Sequence, residues 1–163
     1  MAVGNITQIR MPESARDWCT FVIFIAGGSL MGALALQEVL GQEPCALCLS
    51  QRIALALVGL TAVWAMFDSS QRKCYPIFAL AFSGLGLIFI FRQLWIQWVP
   101  GADESCGAGL SYLLANDFPA SDIVRAMLLG TADCTEHPFT PLASLLAFAL
   151  VSFGLVKQLQ ATN

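Results

Sequence analysis

The sequence predicts an all-α membrane protein: a bundle of four transmembrane helices, with one long outer loop carrying short interfacial helices. Three observations predict it. Hydrophobic residues make up 57% of the chain and charged residues only 12%, about half the charged share of an ordinary soluble domain. The mean hydropathy of +0.70 leaves more apolar surface than 163 residues can hide around a soluble core, so much of the chain must have lipid as its solvent. Finally, the polar residues gather in a few short breaks, which divide the sequence into apolar runs near the ~20 residues that a bilayer crossing needs. By length this is a single integral membrane domain covering residues 1–163. A pI near 4.9 and the absence of a basic patch exclude nucleic acid as a partner.

Residues 1–17 are polar and carry Arg10 and Arg16. The first span, 18–37, is free of charge. Its Ala33-Leu34-Ala35 triplet resembles a signal-peptide cleavage site, but the run exceeds the ~7–15 residues of a signal core and is read as a span. A short loop, 38–44, leads to the second span, 45–67, which is apolar apart from Ser50, Gln51, Arg52 and Thr61. A polar turn from Asp68 to Cys74 precedes the third span, 75–99. This span is apolar from Ile77 to Phe91 and then meets Arg92 and Gln93. Trp95 and Trp98 follow as an aromatic belt, with Trp18 as a further interface anchor. The long loop, 100–137, contains two amphipathic stretches separated by Pro119: Leu110–Phe118 and Asp122–Leu129. Leu110, Leu113 and Leu114, then Ile123, Met127 and Leu128, recur at helical spacing. Beside a membrane such pieces lie in the interface; packing on each other as a small cap is the alternative. The fourth span, 138–156, leads to a short tail from Lys157.

Charge orients the bundle. With four spans, both termini and the 68–74 turn share one side, which carries Arg10, Arg16, Arg72, Lys73 and Lys157. Outside the spans the other side carries only Arg125, together with Asp103, Glu104, Asp117, Asp122, Asp133 and Glu136. The positive-inside rule therefore puts the termini in the cytoplasm and the 38–44 and 100–137 loops outside. Of six cysteines, Cys19 and Cys74 fall at the cytoplasmic face, where they are read as reduced bystanders. Cys45, Cys48, Cys106 and Cys134 fall on the oxidising side. Four cysteines allow three connectivities. Proximity favours Cys45 with Cys48, which leaves Cys106 with Cys134; the resting connectivity stays open.

The chemistry centres on Pro44-Cys45-Ala46-Leu47-Cys48-Leu49-Ser50-Gln51-Arg52. On a helix Cys48 and Arg52 lie one turn apart on the same face. A guanidinium there and a helix N-terminus both favour a thiolate at Cys48. A cation inside a span costs roughly 2.5–3.5 kcal/mol on insertion scales, so Arg52 needs a partner. As a structural staple Cys45–Cys48 is poor, because so small a ring restrains the unfolded chain little. A zinc site built with Cys106, Cys134 or His137 is the other plain reading, but it gives Arg52 no role. Across its separation of about 28 residues, a Cys106–Cys134 disulfide would contribute roughly 3–4 kcal/mol as a staple. Held on a long outer loop, it is also within reach of another protein's thiol. Together the two pairs suggest a relay that moves two electrons by thiol–disulfide exchange. The relay would end on a membrane-soluble acceptor of electrons and protons. A quinone fits, since Arg52 can stabilise charge developing on its oxygens.

These features in this order resemble the bacterial DsbB family, the quinone-coupled enzymes of disulfide bond formation. The resemblance covers four spans, the Pro44–Cys48 motif with Arg52 after it, an outer loop holding Cys106 and Cys134, and the Gly130-Thr131-Ala132-Asp133-Cys134 run. It implies an inner-membrane monomer that reoxidises a periplasmic thioredoxin-fold dithiol oxidase of the DsbA type and passes the electrons to ubiquinone or menaquinone, with no metal. The partner's thiolate would attack Cys106, whose mate is Cys134. Cys45 would pair transiently with Cys106, leaving Cys48 against the quinone and Arg52 beside its oxygen. Some members carry a histidine near the outer end of the third span, where this chain has Arg92 and Gln93 as the second quinone contact. The segment after Cys134 also lacks the longer tryptophan-containing stretch expected before the last span. His137 is read as a solvated interfacial residue, with tuning of a thiol as its alternative. Two rival readings use the same parts: a vitamin K epoxide reductase-like or reductant-exporting enzyme running the relay in reverse, and a non-catalytic, disulfide-stapled or metal-binding membrane protein.

Overall fold

Long runs of Leu, Ala, Ile and Phe with no proline beyond the first turn propagate helix, and the sequence supplies the stops. A computed structural model describes residues 13–41, 45–68, 73–99, 109–131 and 140–162. It contains α1 (Glu13–Leu40), α2 (Ala46–Phe67), α3 (Cys74–Trp98), α4 (Leu110–Ala115), α5 (Ala120–Leu129) and α6 (Thr140–Thr162). Pro76 and Pro141 both fall in the first turn of their helices, where a missing N–H breaks no helical bond. Gly130 ends α5 at φ 93°, a conformation that favours glycine. Here a Cβ would also press on Ile96 and Leu47.

Four of these helices, α1, α2, α3 and α6, are long and apolar enough to cross a membrane. They close a ring in which α2 packs most extensively on α3 and α1 on α6, while α1 meets α2 and α3 meets α6. Side chains facing the middle are mostly small: Ala26, Ala54, Ala62, Ala65 and Ala79 lie in one buried cluster with Val22, Val58, Ile90, Phe148, Val151 and Leu155. In lipid, helices gain little by hiding apolar surface from one another, so close backbone approach and dispersion hold them together. Gly86 shows how close: a Cβ there would run into the Phe148 ring. Two polar ties cross the apolar interior. Ser83 and Ser152 hydroxyls bond at 2.8 Å between α3 and α6, and Cys19 Sγ donates to the Ala62 carbonyl at 3.0 Å between α1 and α2. Large apolar side chains such as Phe24, Met31, Leu60, Ile88, Phe91 and Leu146 face outward, as a lipid-facing surface requires. The protein is thus an all-α, multi-pass membrane bundle.

Two features sharpen the sequence reading. Helix α6 does not stop at residue 156 but continues through Lys157 to Thr162, because backbone hydrogen bonding carries on past the point where side chains turn polar; the expected tail is helix. The amphipathic stretches form α4 and α5, which pack as a cap and keep an exposed apolar face. Leu110, Leu113 and Ala126 bury against Ala46 at the start of α2, making a cap. Leu114, Val124 and Leu128 remain exposed, an apolar face such as interfacial helices present.

Candidate active site

The capped end of the bundle holds the Cys-x-x-Cys pair. Cys45 is the N-cap of α2, with extended backbone (φ −64°, ψ 161°). Its sulfur accepts the Cys48 backbone N–H at 3.3 Å, doing what a serine or aspartate oxygen does at other helix starts. That bond aims the two side chains at each other, and their sulfurs lie 2.7 Å apart. Both are hidden, Cys45 being 2% and Cys48 5% exposed, in a cluster with Leu47, Ile96 and Phe89.

From α3 a single polar side chain enters this cluster. Gln93 is 0% exposed, and its Nε2 lies 3.5 Å from Cys48 Sγ and 4.0 Å from Cys45 Sγ. Its Oε1 accepts the Gln51 Nε2 at 2.8 Å. Gln51 is itself only 3% exposed, and its Oε1 finds no hydrogen-bond partner among the described residues. A helix start, a thiol pair and two buried amides therefore meet at one point. Negative charge on Cys48 would be met there by a side-chain N–H and by the first-turn amides of α2.

The two arginines point elsewhere. Arg52 directs Nη1 to Gln37 Oε1 at 2.6 Å and Nη2 to the Ala33 carbonyl at 3.3 Å, so its charge is held against the end of α1 while Cys48 faces α3. Arg92 donates from Nε to the Leu129 carbonyl at 3.1 Å, capping the last turn of α5. Ser50 adds a second tie by donating to the Met127 carbonyl at 2.8 Å. Through these bonds and the tight approach of Gly130 to Leu47 and Ile96, α5 is fastened across the start of α2. It holds Gly130 at that end, four residues before Cys134 in the sequence.

Of the residues singled out from sequence, the structure brings Cys45, Cys48 and Gln93 together, and ties Arg52 to α1 and Arg92 to the end of α5. Cys106, Cys134 and His137 lie outside the described residues, as do Pro44, Arg10, Arg72, Asp103, Glu104, Asp133 and Glu136. Among the described residues, no group of three His, Cys, Asp or Glu side chains gathers as a metal site. Gln51 and Gln37 were missed as site residues, and both carried a signal. Gln51 stands three residues after Cys48, on the same helical face. Gln37 is the polar residue closing the first charge-free run, one helix away from an arginine that needed a partner.

Comparison with known proteins gives a consistent result. Residues 15–159 match the family model described as Disulfide bond formation protein DsbB. A Disulfide bond formation protein B from Hahella chejuensis is 39% identical over 142 residues, covering 82% of this chain and 84% of that protein. One from Albidiferax ferrireducens is 33% identical over 151 residues, covering 90% and 85%. Disulfide bond formation protein B 1 of Pseudomonas aeruginosa is 33% identical over 163 residues, covering 92% and 99%. No solved structure matches the chain. With a family model matching residues 15–159 and relatives above 30% identity over 82–92% of its length, this chain belongs to the DsbB family of disulfide bond formation proteins.

Proposed function

We propose that this disulfide-forming membrane oxidoreductase is a protein-dithiol:quinone oxidoreductase of the bacterial inner membrane. It reoxidises a periplasmic thioredoxin-fold dithiol oxidase of the DsbA type and passes two electrons to ubiquinone or menaquinone. The observation that carries this reading is the buried Cys45–Cys48 pair at the start of α2, with the Gln93 amide against the Cys48 sulfur. A structural disulfide needs no N–H donor aimed at one of its sulfurs, whereas a thiol that must leave and attack as a thiolate does. The distribution of Arg10, Arg16, Arg72, Lys73 and Lys157 supports cytoplasmic termini and periplasmic redox loops.

In the cycle we propose, the partner's thiolate attacks Cys106, breaking the Cys106–Cys134 bond to form a mixed disulfide and free Cys134, and the partner's second thiol then attacks that mixed disulfide, closing the partner's own disulfide and releasing Cys106. The partner loses two electrons and two protons, and Cys106 and Cys134 gain them. Cys106 attacks Cys45, which breaks the Cys45–Cys48 bond and frees Cys48 as a thiolate facing the Gln93 N–H. Attack by Cys134 on Cys106 restores the outer disulfide and leaves Cys45 and Cys48 reduced. Closing Cys45–Cys48 again releases two electrons and the two thiol protons.

The residues at this end fit a quinone head group. Gln51 Oε1 is a buried acceptor whose need for a hydrogen bond is unmet among the described residues, and a hydroquinone hydroxyl is a donor. Gln93 would supply a donor for its oxygens, Arg52 would add those of its N–H groups not engaged by Gln37 and Ala33, and Phe89, Leu47 and Ile96 would supply the apolar surroundings. When bound, the quinone supplies the acceptor for two electrons and two protons. Arg52 contributes fixed positive charge, and the α4–α5 cap keeps water from Cys48.

The test mixes the purified chain, a reduced thioredoxin-fold dithiol oxidase and quinone, and follows quinone absorbance. Quinone should be consumed by the wild type and not by Cys48→Ser. Continued reduction by Cys48→Ser would remove Cys48 from the cycle. A redox titration of both pairs fixes the direction, since about 30 mV corresponds to roughly 1.4 kcal/mol for a two-electron couple.

A further inference from the structure

We propose that Gln51 is a positioning residue which, through Gln93, sets the polarity of the hydrogen bond that reaches Cys48. This inference rests on the reading of Cys48 as the thiol that gives up electrons. An amide side chain offers a donor and an acceptor of nearly the same shape, so Gln93 can present either face to the sulfurs. With Nε2 forward it stabilises a thiolate, and with Oε1 forward it repels one. Nothing in the shape of the Gln93 side chain decides between them. Its neighbour does.

Gln51 donates from Nε2 to Gln93 Oε1 at 2.8 Å, which turns the Gln93 Nε2 toward Cys48 Sγ at 3.5 Å. The shorter contacts then run in one direction, from Gln51 to Gln93 to Cys48, while the Gln93 Oε1 that Gln51 engages stands farther from the sulfur, at 3.9 Å. Both amides are almost wholly buried, so little water competes for their hydrogen bonds and each polarises the next. Turning the pair together would reverse the sense and leave a carbonyl oxygen against the sulfur, an arrangement suited to a protonated thiol. A donor satisfying the unmet Gln51 Oε1 would hold the thiolate-stabilising sense. Neither amide titrates, so the device works without adding a charge to the lipid-facing end of the bundle.

Two variants separate this from simple packing. Gln51→Met keeps the length of the side chain and removes its hydrogen bonds. Gln51→Glu offers an acceptor where a donor stood, and so draws the Gln93 Nε2 away from the sulfur. The readout is the rate at which Cys48 in the reduced full-length protein is alkylated by iodoacetamide near pH 7, where the thiolate is the reacting form. Mass spectrometry resolves Cys48 from the other cysteines.

Loss of one N–H donor to a charged sulfur should slow alkylation about tenfold in Gln51→Met, and Gln51→Glu should slow it more. In a Gln93→Met background neither substitution should change the rate by more than about twofold, because the route from Gln51 to Cys48 is already cut. Equal slowing in both backgrounds, or none in the presence of Gln93, would overturn the proposal. Gln51→Asn, whose amide is drawn back by one methylene, replaces any variant that does not fold, and the same non-additivity is required of it. The parent reading fails separately, through quinone reduction that survives Cys48→Ser. A Cys48→Ser variant that is inactive beside an additive Gln51–Gln93 cycle would sink the positioning role alone.

Discussion

Two cysteines on adjacent helices of this bundle are almost equally hidden and differently held. Cys19 on α1 is 0% exposed and Cys48 on α2 is 5% exposed. The Cys19 sulfur donates to the Ala62 carbonyl and has the Gln158 side chain beside it, amid Val22, Ala26 and other apolar side chains. Cys48 has the whole Gln93 amide against its sulfur, Nε2 the nearer at 3.5 Å and Oε1 at 3.9 Å, with a second thiol 2.7 Å away and the start of α2 behind it. Burial alone therefore does not mark a redox thiol. A second thiol 2.7 Å away in the first turn of a helix distinguishes Cys48 from a cysteine that fills a helix interface.

Replacing each thiol by a hydroxyl is the strongest test of that contrast. Cys48→Ser is expected to lower partner-driven quinone reduction by about 10³-fold or more, as loss of a covalent participant does. Cys19→Ser keeps a donor for the Ala62 carbonyl and should change the rate by less than about twofold. Comparable losses would erase the distinction. Arg52→Ala comes next. If the guanidinium supports a quinone oxygen, kcat/KM for quinone should fall about tenfold to hundredfold, while single-turnover exchange with the partner changes less than about threefold. Equal damage to both would mean that Arg52 acts by joining α2 to Gln37 and Ala33 of α1.

On the apolar side of the comparison, Gly86→Ala puts a methyl group against the Phe148 ring. Overpacking of this kind costs typically about 1–3 kcal/mol, seen as a lower unfolding midpoint in detergent. Activity per folded molecule should stay within about twofold, because Gly86 touches nothing at the Cys48 end. A fall in activity at temperatures where the variant remains folded would couple the two regions, and the contrast would have to be redrawn.

The sequence carried the bundle more openly than the site. Four apolar runs of membrane length are legible because hydropathy adds along a chain, and the Cys-x-x-Cys motif names its own chemistry. Which polar neighbours join it depends on rotation about helix axes, where one residue is worth about 100°. Arg92 and Gln93 are adjacent in sequence, yet one caps α5 and the other enters the core. Nothing in their order reveals which. Counting four residues on from Cys48 singled out Arg52; counting three would have found Gln51, which lies on the same face. The Gln37–Arg52 and Ser50–Met127 bonds were invisible for a different reason. They join separate elements, and pairing across helices depends on packing that no local pattern encodes.

The smallest expected effect concerns that last contact. Ser50 shares its hydroxyl between the Ala46 carbonyl of its own helix, at 3.1 Å, and the Met127 carbonyl of α5, at 2.8 Å. Ser50→Ala removes the second bond without opening space, and a net loss of about 1 kcal/mol is ordinary for one hydrogen bond. Helix α5 is short, with an exposed apolar face, so that loss should appear as local opening rather than unfolding of the bundle. Amide exchange at Gly130, whose N–H bonds to the Ala126 carbonyl, should quicken about fivefold, the equivalent of about 1 kcal/mol. Amides in the middle of α6 should not change. If exchange at Gly130 is unaltered, then Arg92 and the packing of Ala126 on Ala46 suffice to hold the cap. If α6 quickens as well, the cap and the bundle open as one unit, and the Cys48 end is not the separable region that the comparison with Cys19 makes it.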